Sequence, residues 1–127
     1  MKVIIAGSRS ITDFSLVKKA MEESGWEEEI TEIVSGCAHG VDRLGEIWAQ
    51  NHNIPMKKFP ADWNKYGKCA GYKRNTEMAM YGDTLIAVWM NNSKGTAHMI
   101  NIMKRLGKPI HIHYVLQTPE ILKERRE

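Results

Sequence analysis

The sequence predicts an α/β fold: one Rossmann-like domain over residues 1–127, with a five-stranded parallel sheet in the order 3-2-1-4-5 and helices on both faces. Three observations support it. Residues 3–6 (Val3, Ile4, Ile5, Ala6) and 84–89 (Thr84, Leu85, Ile86, Ala87, Val88, Trp89) are apolar runs without alternation, as strands covered on both faces must be. Strand-like runs alternate with helical-period segments of about 10–15 residues, the pattern of right-handed βαβ units. The first and fourth strands are the most apolar and so belong at the centre, which makes the chain reverse direction between them.

The elements follow in order. Gly7, Ser8, Arg9 and Ser10 end the first strand, and Thr12 or Asp13 caps a helix with apolar Phe14, Val17, Ala20 and Met21. Gly25 closes that helix before the acidic link Glu27, Glu28 and Glu29. Residues 30–34 form the second strand, and Leu44, Ile47, Trp48 and Asn51 mark one face of the second helix, over residues 44–51. Residues 54–59 alternate more and suit an edge strand. A long polar link over residues 60–71 leads to a third helix over residues 72–81, broken by Gly82 and Asp83. After the fourth strand, residues 91–96 turn into a helix with Met99, Ile100, Ile102, Met103 and Leu106 at helical spacing. Gly107, Lys108 and Pro109 stop it, residues 110–115 form the fifth strand, and residues 118–127 a short charged C-terminal helix with Pro119 in its first turn.

Composition narrows the functional classes. The chain of 127 residues is 43% hydrophobic and 26% charged, ordinary for a globular protein with one core. No apolar run approaches the roughly 20 residues of a membrane span, and the apolar start is too short for a secretory signal. Cys37 and Cys69 have neither metal-ligand spacing nor a disulfide framework, so the expected location is the cytoplasm. His111 and His113 share a strand face with no carboxylate or cysteine at ligand spacing, so no metal is expected. The net charge of +3 permits an anionic ligand without calling for nucleic acid.

Candidate site residues sit in the turns at strand ends. Ser35, Gly36, Cys37, Ala38, His39, Gly40, Val41 and Asp42 join a β-branched run to a helical one. The two glycines allow a tight turn with uncovered amides, and Ser35 and Asp42 suit the positive end of the next helix. Gly7, Ser8 and Arg9 offer amides, a hydroxyl and a bidentate guanidinium. Ser93, Lys94, Gly95 and Thr96 place hydroxyls and amides at a helix start without Walker-loop spacing. In the 3-2-1-4-5 order all three turns fall on one rim, at the carboxyl ends of the strands. Each turn also has a plain reading as capping or chain reversal, so their convergence carries the expectation. Arg74 and Asn75 lie on the third helix, with Arg74 free to project towards the rim. The residue 60–74 stretch interleaves Trp63, Lys65, Tyr66, Lys68, Tyr72 and Lys73, so Trp63 and Tyr66 are candidates for stacking on a base. His39, inside the central turn, can meet a ligand in either protonation state, and Cys37 reads as a packing residue.

These pieces, Gly7-Ser8-Arg9, Ser35-Gly36-x-Ala38-x-Gly40-Val41-Asp42, Arg74-Asn75 and Ser93-Lys94-Gly95-Thr96-Ala97, resemble the superfamily named for Smf/DprA and the LOG proteins (SLOG). Within it they resemble the small YspA-like branch, over residues 1–115. The resemblance implies a nucleotide-binding Rossmann-like domain whose relatives include phosphoribohydrolases, single-strand DNA-binding recombination factors and proposed sensors of nucleotide signals. It implies that Arg74 acts on the ribose-phosphate side. The hydrolases carry a Gly-Gly-x-Gly-Thr-x-x-Glu pattern whose glutamate assists glycosidic cleavage. Here Gly95 and Thr96 match, the leading glycine pair is missing, and the glutamate position falls on Met99, which cannot transfer a proton.

The expectation is therefore a cytoplasmic protein that senses or sequesters a nucleotide-derived molecule: NAD, ADP-ribose, a nucleoside phosphate or a signal derived from them. It requires no cofactor. Gly7, Ser8, Arg9, Ser35, Gly36, His39, Gly40, Asp42, Arg74, Asn75, Ser93, Lys94, Gly95 and Thr96 are its expected ligand contacts. The enzymatic alternative is an N-glycosidic hydrolase with Arg74 and Glu77 as candidate catalytic groups and Asp42 or Glu46 as substitutes for the missing glutamate. The third is single-stranded DNA binding. Relatives often dimerise, so a homodimer or larger homo-oligomer is a candidate assembly.

Overall fold

The computed structural model describes residues 1–90 and 93–115. Its five strands are β1 (Lys2–Gly7), β2 (Glu32–Ser35), β3 (Met56–Lys58), β4 (Thr84–Trp89) and β5 (Ile110–Tyr114). They form one parallel sheet in the order β3-β2-β1-β4-β5, as the apolar pattern predicts. β1 and β4 pair from Val3↔Thr84 to Gly7↔Val88. Along β1, successive side chains enter opposite cores: Val3 and Ile5 on one side, Ile4 and Ala6 on the other. Alternation in polarity is absent because both faces are dry.

The helices supply the two covers. On one face, α1 (Phe14–Ser24) and α2 (Val41–Asn51) bury Val17, Ala20, Met21, Leu44 and Trp48. On the other, α4 (Ala70–Tyr81) and α5 (Lys94–Arg105) bury Met78, Ala79, Met99 and Met103, with α3 (Trp63–Tyr66) lying before α4. Asp13, of the two expected caps, closes the start of α1 by accepting from the Ser15 amide, and Gly25 closes its end. Lys108 terminates α4 from a distance, its Nζ donating to the carbonyls of Ala79 (2.6 Å) and Gly82 (2.8 Å).

Several boundaries differ from the expected ones. Residues 60–71 are not one polar link: Asp62 caps the single turn of α3, a 3-10 turn follows at Gly67–Cys69, and α4 starts at Ala70 rather than Tyr72. A four-residue helix is too short to show a period. The second strand is shifted, starting at Glu32 and including Ser35. α2 begins at Val41, three residues before the apolar period is visible, and its cap position is Gly40. Neither Ser35 nor Asp42 caps it, since Asp42 already lies within the first turn. Asn51 is exposed rather than on the packed face. The predicted C-terminal helix over 118–127 lies outside the described residues. Among the described residues, no helix is long and apolar enough to cross a membrane.

Candidate functional site

Parallel strands deliver the starts of their following helices to one rim. There β1 and β4 lie side by side while their connections leave in opposite directions, and the gap between the connections is a cleft of about 390 Å³. Gly7, Ser8, Arg9, Asp42, Arg74, Asn75, Ser93, Lys94, Gly95 and Thr96 all line it. Two smaller cavities adjoin it, one of about 270 Å³ past Gly36, Cys37 and His39, the other of about 220 Å³ past Lys68 and Tyr72. Arg9 and Arg74 line all three, and Trp63 lines both smaller ones.

The β1 turn is held by close backbone approach. A Cβ on Gly7 would stand 2.2 Å from the Val88 carbonyl oxygen. Gly40 has φ 75°, and a Cβ there would meet the Ser8 and Arg9 carbonyl oxygens and carbon within 2.6 Å. Only glycine satisfies both demands at that position. The Ser8 hydroxyl, expected on a ligand, accepts from the Met90 amide at 3.0 Å and is buried. It ties the β1 turn to the end of β4.

Ser35 is likewise engaged inside the protein. Its hydroxyl donates to Glu46 Oε2 at 2.7 Å and accepts from the Cys37 amide at 3.1 Å, and it does not line the cleft. Glu46 is buried beneath it, 3.6 Å from Lys58 Nζ. Cys37 is exposed rather than a packing residue; partial desolvation and then the Glu46 carboxylate push its thiol up from the ordinary range.

Asp42 is the carboxylate of this wall that lines the cleft. It is only 6% exposed, and its Oδ2 accepts from the Ala38 amide at 3.2 Å. Burial raises its pKa to about 6, against the opposing pull of the Ala38 amide and Arg74. Across from it, Arg74 Nη1 donates to the Gly36 carbonyl. Arg74 Nη1 and Asp42 Oδ2 each lie 2.9 Å from the position a Cβ of Gly36 would take. Glycine there leaves room for a cation and an anion to face each other without closing into an ion pair.

Asn75 braces the opposite wall. Its Oδ1 accepts from Arg74 Nε at 3.0 Å, while Nδ2 donates to the Gly95 carbonyl and to His98 Nδ1, each at 3.2 Å. Burial, then Arg105, lowers the His98 pKa, favouring the neutral ring that can accept this bond. Ser93 caps α5 through the Thr96 amide, and the two hydroxyls bond each other at 2.7 Å. The amides of Lys94 and Gly95 have no partner among the described residues and stand at the positive end of α5.

Some expected residues stay outside. Tyr66 packs under Lys73, whose Nζ is 4.1 Å from its ring centroid, and Glu77 is exposed; neither lines any of these three cavities. Of the three cavities, His39 lines the one of 270 Å³ and not the main cleft. Sequence reasoning passed over Met78 as a cleft residue and placed Met99 only through the missing glutamate, yet both line the cleft. Their helical spacing marks them as core, which they also are. Among the described residues, no group of three or more His, Cys, Asp or Glu could hold a metal ion.

The chain is 31% identical over 116 residues to the Gene 61 protein of Mycobacterium phage D29, covering 86% of this chain and 93% of that one. No solved structure matches it. The model of the YAcAr family, described as the YspA, cpYpsA-related SLOG family, matches residues 1–66. With the motifs of residues 7–9 and 35–42 inside the match, the chain belongs to the YspA, cpYpsA-related SLOG family.

Proposed function

We propose that the rim cleft binds a nucleotide-derived small molecule, a nucleoside phosphate or a pyrophosphate-linked relative such as ADP-ribose or NAD, and that the protein senses or sequesters it. The observation that carries this reading is the facing pair of chemistries in one cleft. Arg9, Arg74 and the amides opening α5 suit a phosphate. The Asp42 carboxylate, across from Arg74, suits the hydroxyl donors of a ribose. A volume of about 390 Å³ lies within the range of small-molecule sites. Membership of a nucleotide-related family supports the same class. Met99, lining the cleft where hydrolases of the superfamily are expected to place a glutamate, favours binding without cleavage.

Thermal-shift measurements with a panel of nucleoside phosphates, NAD and ADP-ribose test it. At least one member should raise the melting temperature of the unaltered protein, and the shift should collapse for Arg74→Ala. A flat response to the whole panel would sink the reading.

One observation favours a hydrolytic alternative: Asp42, a carboxylate near pKa 6 in a cleft, is suited to proton transfer at neutral pH. Release of free base from a nucleoside monophosphate, lost in Asp42→Asn, would establish it in place of simple binding.

A further inference from the structure

Two large aromatic side chains stand open beside the cleft. Trp63 is 51% exposed and Tyr72 48%. They flank the 220 Å³ cavity, whose remaining lining includes Arg9, Lys68, Arg74 and Gly95.

Both rings are anchored from behind. Asp62 caps the turn that carries Trp63, accepting from the Lys65 amide at 3.0 Å. The indole rests on the start of α4 at Gly71, where a Cβ would stand 3.4 Å from Trp63 Cη2. A methyl group at that position would itself stand in ordinary van der Waals contact with the ring, so the indole lies flush on this part of the helix. Tyr72 leans on His98, with ring centroids 4.3 Å apart, and His98 is bonded to Asn75. The aromatic faces are thus held in place while remaining open to the cavity.

We infer that Trp63 and Tyr72 form a slot for the planar base of the ligand, leading directly from the anion-binding groups Arg9 and Arg74. This rests on the nucleotide reading above and adds its specificity: recognition of a base-bearing ligand over a sugar phosphate. An aromatic wall suits any flat heterocycle because stacking needs only a π face. Arg9 and Arg74 line both the slot and the main cleft, so an anion held between them keeps the attached base within reach of the indole.

The test uses the full chain and two sets of probes in calorimetric titrations. AMP, ADP-ribose and NAD carry an adenine; ribose 5-phosphate and inorganic pyrophosphate carry the anion alone. The best adenine probe should bind more tightly than both base-free probes by about 5- to 150-fold, the range that stacking on an aromatic side chain gives a base. Trp63→Ala should remove most of that preference, and Trp63→Phe should restore much of it. Quenching of tryptophan fluorescence by the adenine probe should disappear in Trp63→Phe, since Trp48 is buried and Trp26 and Trp89 line none of the three cavities. Melting curves establish that each variant is folded. Equal binding of both probe sets, or an unchanged preference in folded Trp63→Ala, overturns the slot and leaves the cleft reading standing. Binding of none of the probes overturns both.

Discussion

The two walls of the cleft are built on opposite plans. The wall from the ends of β1 and β2 is closed on itself. Ser8 is bonded to the Met90 amide, Ser35 to Glu46 and Cys37, and Gly40 is pressed against the Ser8 and Arg9 carbonyls. The wall from α4 and α5 holds its groups open. The amides of Lys94 and Gly95 and Nη2 of Arg74 have no partner among the described residues, and a Cβ on Gly95 would meet nothing within 4 Å. Glycines and serines that look alike in sequence therefore serve different ends: those of the first wall fix the backbone, and those of the second leave donors available. Asp42 and Arg9 are the exceptions on the first wall, a buried carboxylate and an exposed guanidinium that both line the cleft.

The sharpest break of that comparison is a pair of glycine substitutions. Gly7→Ala forces a methyl to within 2.2 Å of the Val88 carbonyl, so β1 and β4 must part. The expected cost is roughly 4 kcal/mol or more, in the exceptional range for a point substitution, seen as loss of the cooperative thermal transition. Gly95→Ala should leave stability unchanged or raise it by up to about 1 kcal/mol, since alanine favours the helix. Equal destabilisation by both would erase the distinction between the walls.

Asp42→Asn comes next. The folded pKa of about 6 lies above the ordinary 3.8, so the folded protein holds a proton more readily than the unfolded chain between those values. The unaltered protein should therefore lose stability as pH rises from about 4 to 6 and stay lower above, by about 3 kcal/mol in all. Asn keeps the acceptor for the Ala38 amide and carries no charge. Its melting temperature should exceed that of the unaltered protein at pH 7 to 8, the gain vanishing near pH 4, while ligand affinity falls. A pH-independent difference would show that burial of the carboxylate is not what separates the two.

Arg74→Ala should cost ligand affinity about 10- to 100-fold, the worth of a charged hydrogen bond to phosphate, read by titration calorimetry. Smallest is Ser35→Ala. It leaves Glu46 Oε2 and the Cys37 amide short of a partner and should cost about 1–2 kcal/mol in denaturant unfolding, with less effect on affinity than Arg74→Ala. The reverse ranking in affinity would move the ligand to the β2 turn.

The strand order was legible because burial on both faces leaves a plain mark: the unbroken apolar runs of β1 and β4. Gly25 was legible as a cap, and Asp13 as one of two candidates, because capping is local. The short helix α3 was not, since four residues make little more than one turn and Gly67 follows it at once. Nor were the fates of the site hydroxyls. Ser8 finds Met90 82 residues away, and Arg74 finds Gly36 38 residues away. A serine in a Gly-rich turn looks the same whether its hydroxyl faces a ligand or another strand. The convergence of the turns on one rim was readable from topology; which of their atoms remain open was a matter of packing.

The cleft's role is tested most directly by amide chemical-shift mapping of isotope-labelled protein titrated with the tightest-binding nucleotide of the panel. The account predicts shifts concentrated at Gly7 to Ser10, Ala38, Arg74, Asn75 and Lys94 to Ala97, weakened throughout in Arg74→Ala. Shifts concentrated instead on α1 and β5, with the amides of Lys94 and Gly95 unmoved at saturation, would contradict it.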